Sequence, residues 1–218
     1  MSDSRELIAK RVAGFFEPGT LANLGIGIPS LVANYIPAEK NIILHSENGF
    51  IGLGPNPESG MEDMDIVNAG GIPVTILPGG ATFDSATSFG LARGGHVDIT
   101  VLGALEVDEE GNLASWHVPG KLLPGMGGAM DLVVGAKKVI IAMEHTTKEG
   151  TLKVLKKCAL PLTAVGVVDF IVTELGVMEV TKDGIVLREL APEVTVDEIQ
   201  AKTEAKLICP EAIGSMVR

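Results

Sequence analysis

Aromatic side chains are scarce in this sequence, where Phe, Tyr and Trp supply 4% of 218 residues. Since 46% of the chain is hydrophobic, any core must rest on Val, Ile, Leu and Ala. That composition suits parallel strands buried on both faces beneath helices. Cysteine is rarer still. Cys158 and Cys209 form neither a disulfide framework nor a zinc spacing, and they read as plain reduced thiols. The histidines, His45, His96, His117 and His145, have no metal-ligand spacing, so no metal is expected. No apolar run reaches the roughly 18 residues of a membrane span. The N-terminus, MSDSRELIAKRV, lacks the apolar stretch of a signal peptide, and the cytoplasm is the expected compartment. Basic charge is in deficit as well. A net charge of −11 at pH 7 argues against nonspecific nucleic-acid binding, although an anionic ligand needs only local donors.

Glycine is plentiful, with 27 residues and no triplet period. Its clustering in short runs fits loops where backbone approaches a ligand. Between those runs the pattern alternates. Residues 3–16 read as a helix capped by Asp3, with Leu7, Ile8, Val12, Phe15 and Phe16 on one face. Strands are expected at 20–24, 42–44, 74–77, 98–102 and 139–143, the third stopped by Pro78-Gly79-Gly80. Helices are expected at 29–35, from an Asp84 cap to Gly94-Gly95, and at 131–136. Residues 52–60 and 119–130 read as Gly/Pro-rich loops. Extended segments at 170–173, 176–180 and 185–190 follow, the last two joined by a Lys182-Asp183-Gly184 turn. Thr195 and Glu198 form a capping box for a final helix. No repeat or linker interrupts the chain. The expectation is one α/β domain over 1–218, built on a single open, mostly parallel sheet flanked by helices.

Ligands in open α/β sheets gather outside the carboxyl ends of strands. Glu47 follows a strand and precedes Asn48-Gly49, so its carboxylate is placed for chemistry there. The same position also suits a loop glutamate that caps a helix or sits in water. Asn23 ends the first strand, where its amide could donate to an oxyanion or simply bond its own turn. Gly25-x-Gly27 lacks the third glycine of a dinucleotide fingerprint, which excludes an NAD site of that kind. Gly127-Gly128 stands at a helix start and offers N–H groups to an anion, or makes an ordinary turn. His45 is expected to point away from Glu47 and to pack. Asp63 and Asp65 are expected to be solvated.

The string Leu44-His45-Ser46-Glu47-Asn48-Gly49-Phe50-Ile51-Gly52 resembles the glutamate motif of class I, 3-oxoacid-type CoA-transferases, in their B subunit. Further segments agree: 23–29 (NLGIGIP), 93–96 (RGGH), 102–104 (LGA), 119–133, 144–146 (EHT) and 160–163 (LPLT). The resemblance implies an open α/β fold shared with ribose-5-phosphate isomerase-like proteins. It implies that Glu47 attacks an acyl-CoA and carries CoA as a glutamyl thioester, with Asn23 as an oxyanion donor. Gly25, Gly27, Ser46, Asn48, Gly49, Gly127 and Gly128 would line the site for substrate or CoA. CoA and acyl-CoA enter as substrates, with no separate cofactor. Butyrate, acetate and acetoacetate are the expected acids.

The resemblance also implies a partner, the A subunit of a CoA-transferase, expected as a separate chain that completes the site. One departure stands out. After Asn68-Ala69-Gly70 this chain has Gly71, where many relatives carry Lys. The missing cation favours monocarboxylates over succinate. Two other classes remain open on this fold, a sugar-phosphate isomerase and a non-catalytic effector-binding module.

Overall fold

A computed structural model describes residues 2–120 and 125–216. In chain order, α1 (Ser2–Ala13), β1 (Leu21–Leu24), α2 (Ile28–Leu31), β2 (Ile43–Ser46), β3 (Phe50–Leu53), β4 (Ile76–Thr82), α3 (Ser85–Arg93) and β5 (Ile99–Leu102) make the first half. Then come β6 (Glu106–Asp108), β7 (Leu113–Ala114), α4 (Ala129–Gly135), β8 (Lys138–Ala142), β9 (Val154–Leu155), β10 (Phe170–Val172), β11 (Gly176–Thr181), β12 (Gly184–Leu190), α5 (Val196–Ala201) and β13 (Gly214–Ser215).

Ten strands form one sheet in the order β13-β12-β11-β10-β8-β5-β1-β2-β3-β4. Its centre, β10-β8-β5-β1-β2, is parallel throughout. Antiparallel ribbons flank that centre: β11 and β12 on one side, β3 and β4 on the other. The Lys182-Asp183-Gly184 turn foretold the first ribbon, whereas the second runs against two expectations. Residues 52 and 53 belong to β3 rather than to a loop, and β4 runs through Pro78-Gly79-Gly80 instead of stopping there. Pro78 is tolerated because β4 is the edge strand, where a missing N–H faces no further partner. A register shift between Ile51 and Leu53 takes up the extra backbone.

Both faces of the central sheet are covered, so β5 and nearly all of β8 are buried along their length. Along β8, Val139 and Ile141 face one core while Ile140 and Ala142 face the other. On one side Ile8 and Val12 of α1, which ends at Ala13 and not at 16 as expected, and Phe16 just beyond it pack with Ala22, Val101 and Ile140. On the other, Ala92 of α3 and Leu132 and Val133 of α4 cover Val139, Ile141 and Ile171. Each fully buried aliphatic side chain contributes about 1.5–3 kcal/mol. The Arg11 guanidinium ties α1 to β12 through two bonds to Glu189, at 2.5 and 2.7 Å. The helix begins at Ser2, so Asp3 lies within the first turn instead of capping it. The capping box forms as the pattern required: Thr195 and Glu198 satisfy each other's backbone N–H groups at α5.

Candidate active site

Because β1, β2, β5 and β8 are parallel, their carboxyl ends lie along one edge of the sheet. Glu47 stands at that edge, in the turn joining β2 to β3. The turn is held from several sides. The Gly49 N–H donates to the Ser46 carbonyl at 3.1 Å, and the Phe83 N–H donates to the Gly49 carbonyl at 2.8 Å. Gly49 takes φ +140, and a β-carbon there would strike the Phe83 carbonyl oxygen, so only glycine fits. Ser46 Oγ donates to Asn48 Oδ1 at 2.6 Å and accepts from the Ala69 N–H at 3.1 Å. Asn48 Nδ2 donates to the Val67 carbonyl at 2.7 Å. Ser46, Asn48 and Gly49 therefore shape the turn and lash it to the 66–72 loop.

On the other side of Glu47 lies the start of α4. Gly128 is the residue just before this helix and has no side-chain cap. A β-carbon on Gly128 would collide with Glu47 Oε2, and would come within 2.7 Å of the Phe89 ring of α3. The Glu47 carboxylate is thus half-buried between its own turn, Phe89 and Gly128. Burial, followed by the negative charge of Asp131 in α4, raises its pKa above the ordinary glutamate value. Asp131 in turn accepts from Arg93 Nη1 at 2.7 Å, which holds α3 and α4 together beside the carboxylate.

Asn23 is 3% exposed and faces His45, its register partner across β1 and β2. Its Nδ2 lies 3.2 Å from His45 Nδ1 and 3.3 Å from the His45 carbonyl oxygen. The far side of the imidazole, Nε2, is 2.8 Å from Ser88 Oγ of α3. Thr100 Oγ1 donates to Asn23 Oδ1 at 3.5 Å. The His45 ring turns toward α3, the helix that carries Phe89. It is packed, as anticipated, but within a polar row. Desolvation lowers its pKa to about 4, so the ring is neutral at physiological pH.

The glycines divide. The Gly25 N–H is committed to the Val101 carbonyl at 2.8 Å, where β1 crowds β5. Gly27 takes φ +87 ahead of α2, with open space around it. Gly127 takes φ +58, also in open space. Of the 119–130 loop, residues 121–124 lie outside the described residues. Gly71 takes φ +74 in the turn beside Asn48, and a side chain there would project freely. Ser88, Phe89, Thr100 and Asp131 were given no role from sequence. Ser88 and Ala92, buried four residues apart, mark the inward face of α3, a pattern open to periodicity alone.

A cleft of about 540 Å³ lies away from Glu47, lined by Ser4, Arg5, Glu144, Thr146, Thr147, Lys148 and Glu174. Its balanced charges single out no ligand. Among the described residues no helix is long and apolar enough to cross a membrane.

The family model for coenzyme A transferases matches residues 5–202. The beta subunit of acetate CoA-transferase from Haemophilus influenzae is 56% identical over 215 residues, covering 98% of this chain and 96% of that protein. The B subunit of succinyl-CoA:3-ketoacid coenzyme A transferase from Helicobacter pylori is 50% identical over 202 residues, covering 93% and 97%. Among solved structures, an acyl-CoA transferase apoenzyme from Escherichia coli O157:H7 superposes with a TM-score of 0.78 at 25% identity. That match takes in 97% of this chain but only 43% of the other, so the chain spans less than half of that structure. The chain belongs to the coenzyme A transferase family.

Proposed function

We propose that this coenzyme A transferase chain is the B subunit of a two-subunit enzyme and moves CoA between a short-chain acyl-CoA and a carboxylic acid through Glu47. The observation that carries the reading is the Glu47 carboxylate itself, half-buried against Gly128 and Phe89 at the carboxyl edge of the parallel strands. A carboxylate is a nucleophile without a separate base, because it is already ionised near neutral pH.

A Glu47 oxygen attacks the thioester carbonyl, the C–S bond breaks, and CoA leaves as thiolate. The product is a mixed anhydride. The thiolate then attacks the Glu47 side-chain carbonyl, the C–O bond breaks, and the donor acid leaves as carboxylate. CoA is now a thioester of Glu47. An acceptor carboxylate runs the two steps in reverse and departs as its CoA ester. Each step exchanges one anion for another, so the sequence needs no ATP, metal or redox group.

Each attack passes through an oxyanion. Asn23 is the proposed side-chain donor, and the uncapped start of α4 at Gly127 and Gly128 the proposed backbone one. An amide nitrogen carries two N–H groups. The two long contacts to His45 fit a single shared, three-centre bond, which leaves the second N–H for the oxyanion. The second half of the cleft is assigned to a separate chain, the A subunit, in keeping with relatives named as beta or B subunits.

Acetate, butyrate and acetoacetate are the proposed acids. Incubation with acetoacetyl-CoA, in the presence of the A subunit, should add the mass of CoA to this chain. Borohydride reduction and peptide mapping should place the modification on Glu47. A label on another carboxylate, or none, defeats the assignment.

A further inference from the structure

Between α3 and the strands β2, β1 and β5 runs a row of four buried polar side chains, Ser88, His45, Asn23 and Thr100. None is more than 3% exposed. Burying polar groups in an otherwise aliphatic sheet costs stability unless each is paired, and apolar side chains of similar size would do as well for packing. The row needs a reason beyond the fold.

We propose that His45 is a positioning residue, which aims the Asn23 amide toward the reacting carbonyl and fixes it relative to Glu47. This rests on the reading of Glu47 as the nucleophile. Asn23 Nδ2 can only donate, so the His45 Nδ1 it approaches is an acceptor. The ring proton then sits on Nε2 and is donated to Ser88 Oγ. Both ring nitrogens are thereby committed, and the imidazole cannot rotate without losing a buried bond. Ring Nδ1 and backbone carbonyl of the same residue together capture one amide N–H, and Thr100 holds the amide oxygen. With three contacts the amide plane is set, and its remaining N–H has one direction.

The same ring reaches the opposite wall of the site. Ser88 precedes Phe89, whose ring stands against Gly128 beside the Glu47 carboxylate. Displacing the imidazole therefore loosens both the donor and the wall. Misplacement by about 1 Å can cost on the order of a hundredfold in rate.

The test uses the complex with the A subunit. It follows the single-turnover rate at which acetoacetyl-CoA leaves a CoA adduct on Glu47, with steady-state kcat and KM and a thermal melt. His45→Leu should slow adduct formation by about ten- to a hundredfold, with KM changed less than about twofold. His45→Gln, which keeps an acceptor and a donor, should recover most of the rate. In an Asn23→Ala background His45→Leu should cost much less than in the unaltered protein, because the donor it aims is gone and only its hold on Ser88 and the Phe89 wall remains. Adduct formation at the wild-type rate in His45→Leu overturns the inference, as does a full, independent loss in the Asn23→Ala background. Should His45→Leu fail to fold, Ser88→Ala carries the test, with an expected loss of about two- to fivefold in the same step and an unchanged rate as the refuting result. No adduct on Glu47 in the wild-type complex refutes the parent reading instead, and this inference with it.

Discussion

The Glu47 carboxylate fills the space that a β-carbon on Gly128 would need. Gly128 has φ −82, a conformation open to any residue, so its backbone does not ask for glycine. The carboxylate and the Phe89 ring do.

Gly128→Ala should therefore lower turnover by about a hundredfold, while overpacking costs about 1–3 kcal/mol of stability. Gly127→Ala is the control, because it faces open space at φ +58. Its cost should be conformational, about 1–2 kcal/mol, with a smaller effect on turnover. Kinetics and thermal melts on the two variants distinguish a contact at Glu47 from general loop strain.

The raised pKa of Glu47 sets a sign. A carboxyl that holds its proton more tightly when folded favours folding below its folded pKa, and that contribution is lost as pH rises through it. Near neutral pH the ionised Glu47 is a burden on the fold. Glu47→Gln should abolish transfer yet melt at a higher temperature at pH 7, and lose that advantage as pH is lowered. A lower melting temperature at pH 7 would contradict the burial argument.

Asp131 is the second cause of that shift. Asp131→Asn removes a negative charge beside Glu47 and releases the Arg93 guanidinium, and both changes favour the ionised carboxylate. The acid limb of the kcat profile should move to lower pH. A limb that stays in place would mean that Asp131 does not act on Glu47.

Gly71 lies in the turn tied to Ser46 and Asn48, with open space before it. Competition among acetate, butyrate and succinate for one acyl-CoA donor should favour the monocarboxylates. Gly71→Lys should shift the ratio of kcat/KM values toward succinate, at a cost of about 1–2 kcal/mol for a side chain at positive φ. Efficient use of succinate by the unaltered protein would contradict the reading.

Purified without its partner, this chain should transfer little CoA. A glutamyl thioester left open to water is hydrolysed, and a closed, water-poor cleft is what prevents it. Adding the partner should raise the CoA transferred and lower the CoA lost together. Full transfer by this chain alone would defeat the shared site.

Much of this protein was legible in its residues. The segments 98–102 and 139–143 were read as strands, and both are central in the sheet as β5 (Ile99–Leu102) and β8 (Lys138–Ala142). Thr195 and Glu198 announced α5, and Asp84 announced α3 by a side chain that accepts from the Thr87 N–H. Glu47 was placed at a strand's carboxyl end by its neighbours in the chain. These signals are local: periodicity, caps and turns act over a few residues.

What local rules could not reach was decided by distant segments meeting. Pro78 and two glycines read as a stop, yet β4 continues, because only the finished sheet makes it an edge strand where proline costs nothing. Asn23, His45, Ser88 and Thr100 come from four elements, and their bonds depend on the register of β1 against β2 and β5 and on where α3 settles. Gly128 reads from sequence as a backbone donor at a helix start, and its contact with the Glu47 carboxylate and Phe89 emerges only once α4 is packed beside them. Sequence by itself placed the carboxylate at the right edge of the sheet. The wall, the neighbouring charge and the buried row around it exist only through tertiary packing, because contact between remote residues is fixed by shape and register rather than by any residue's own preference.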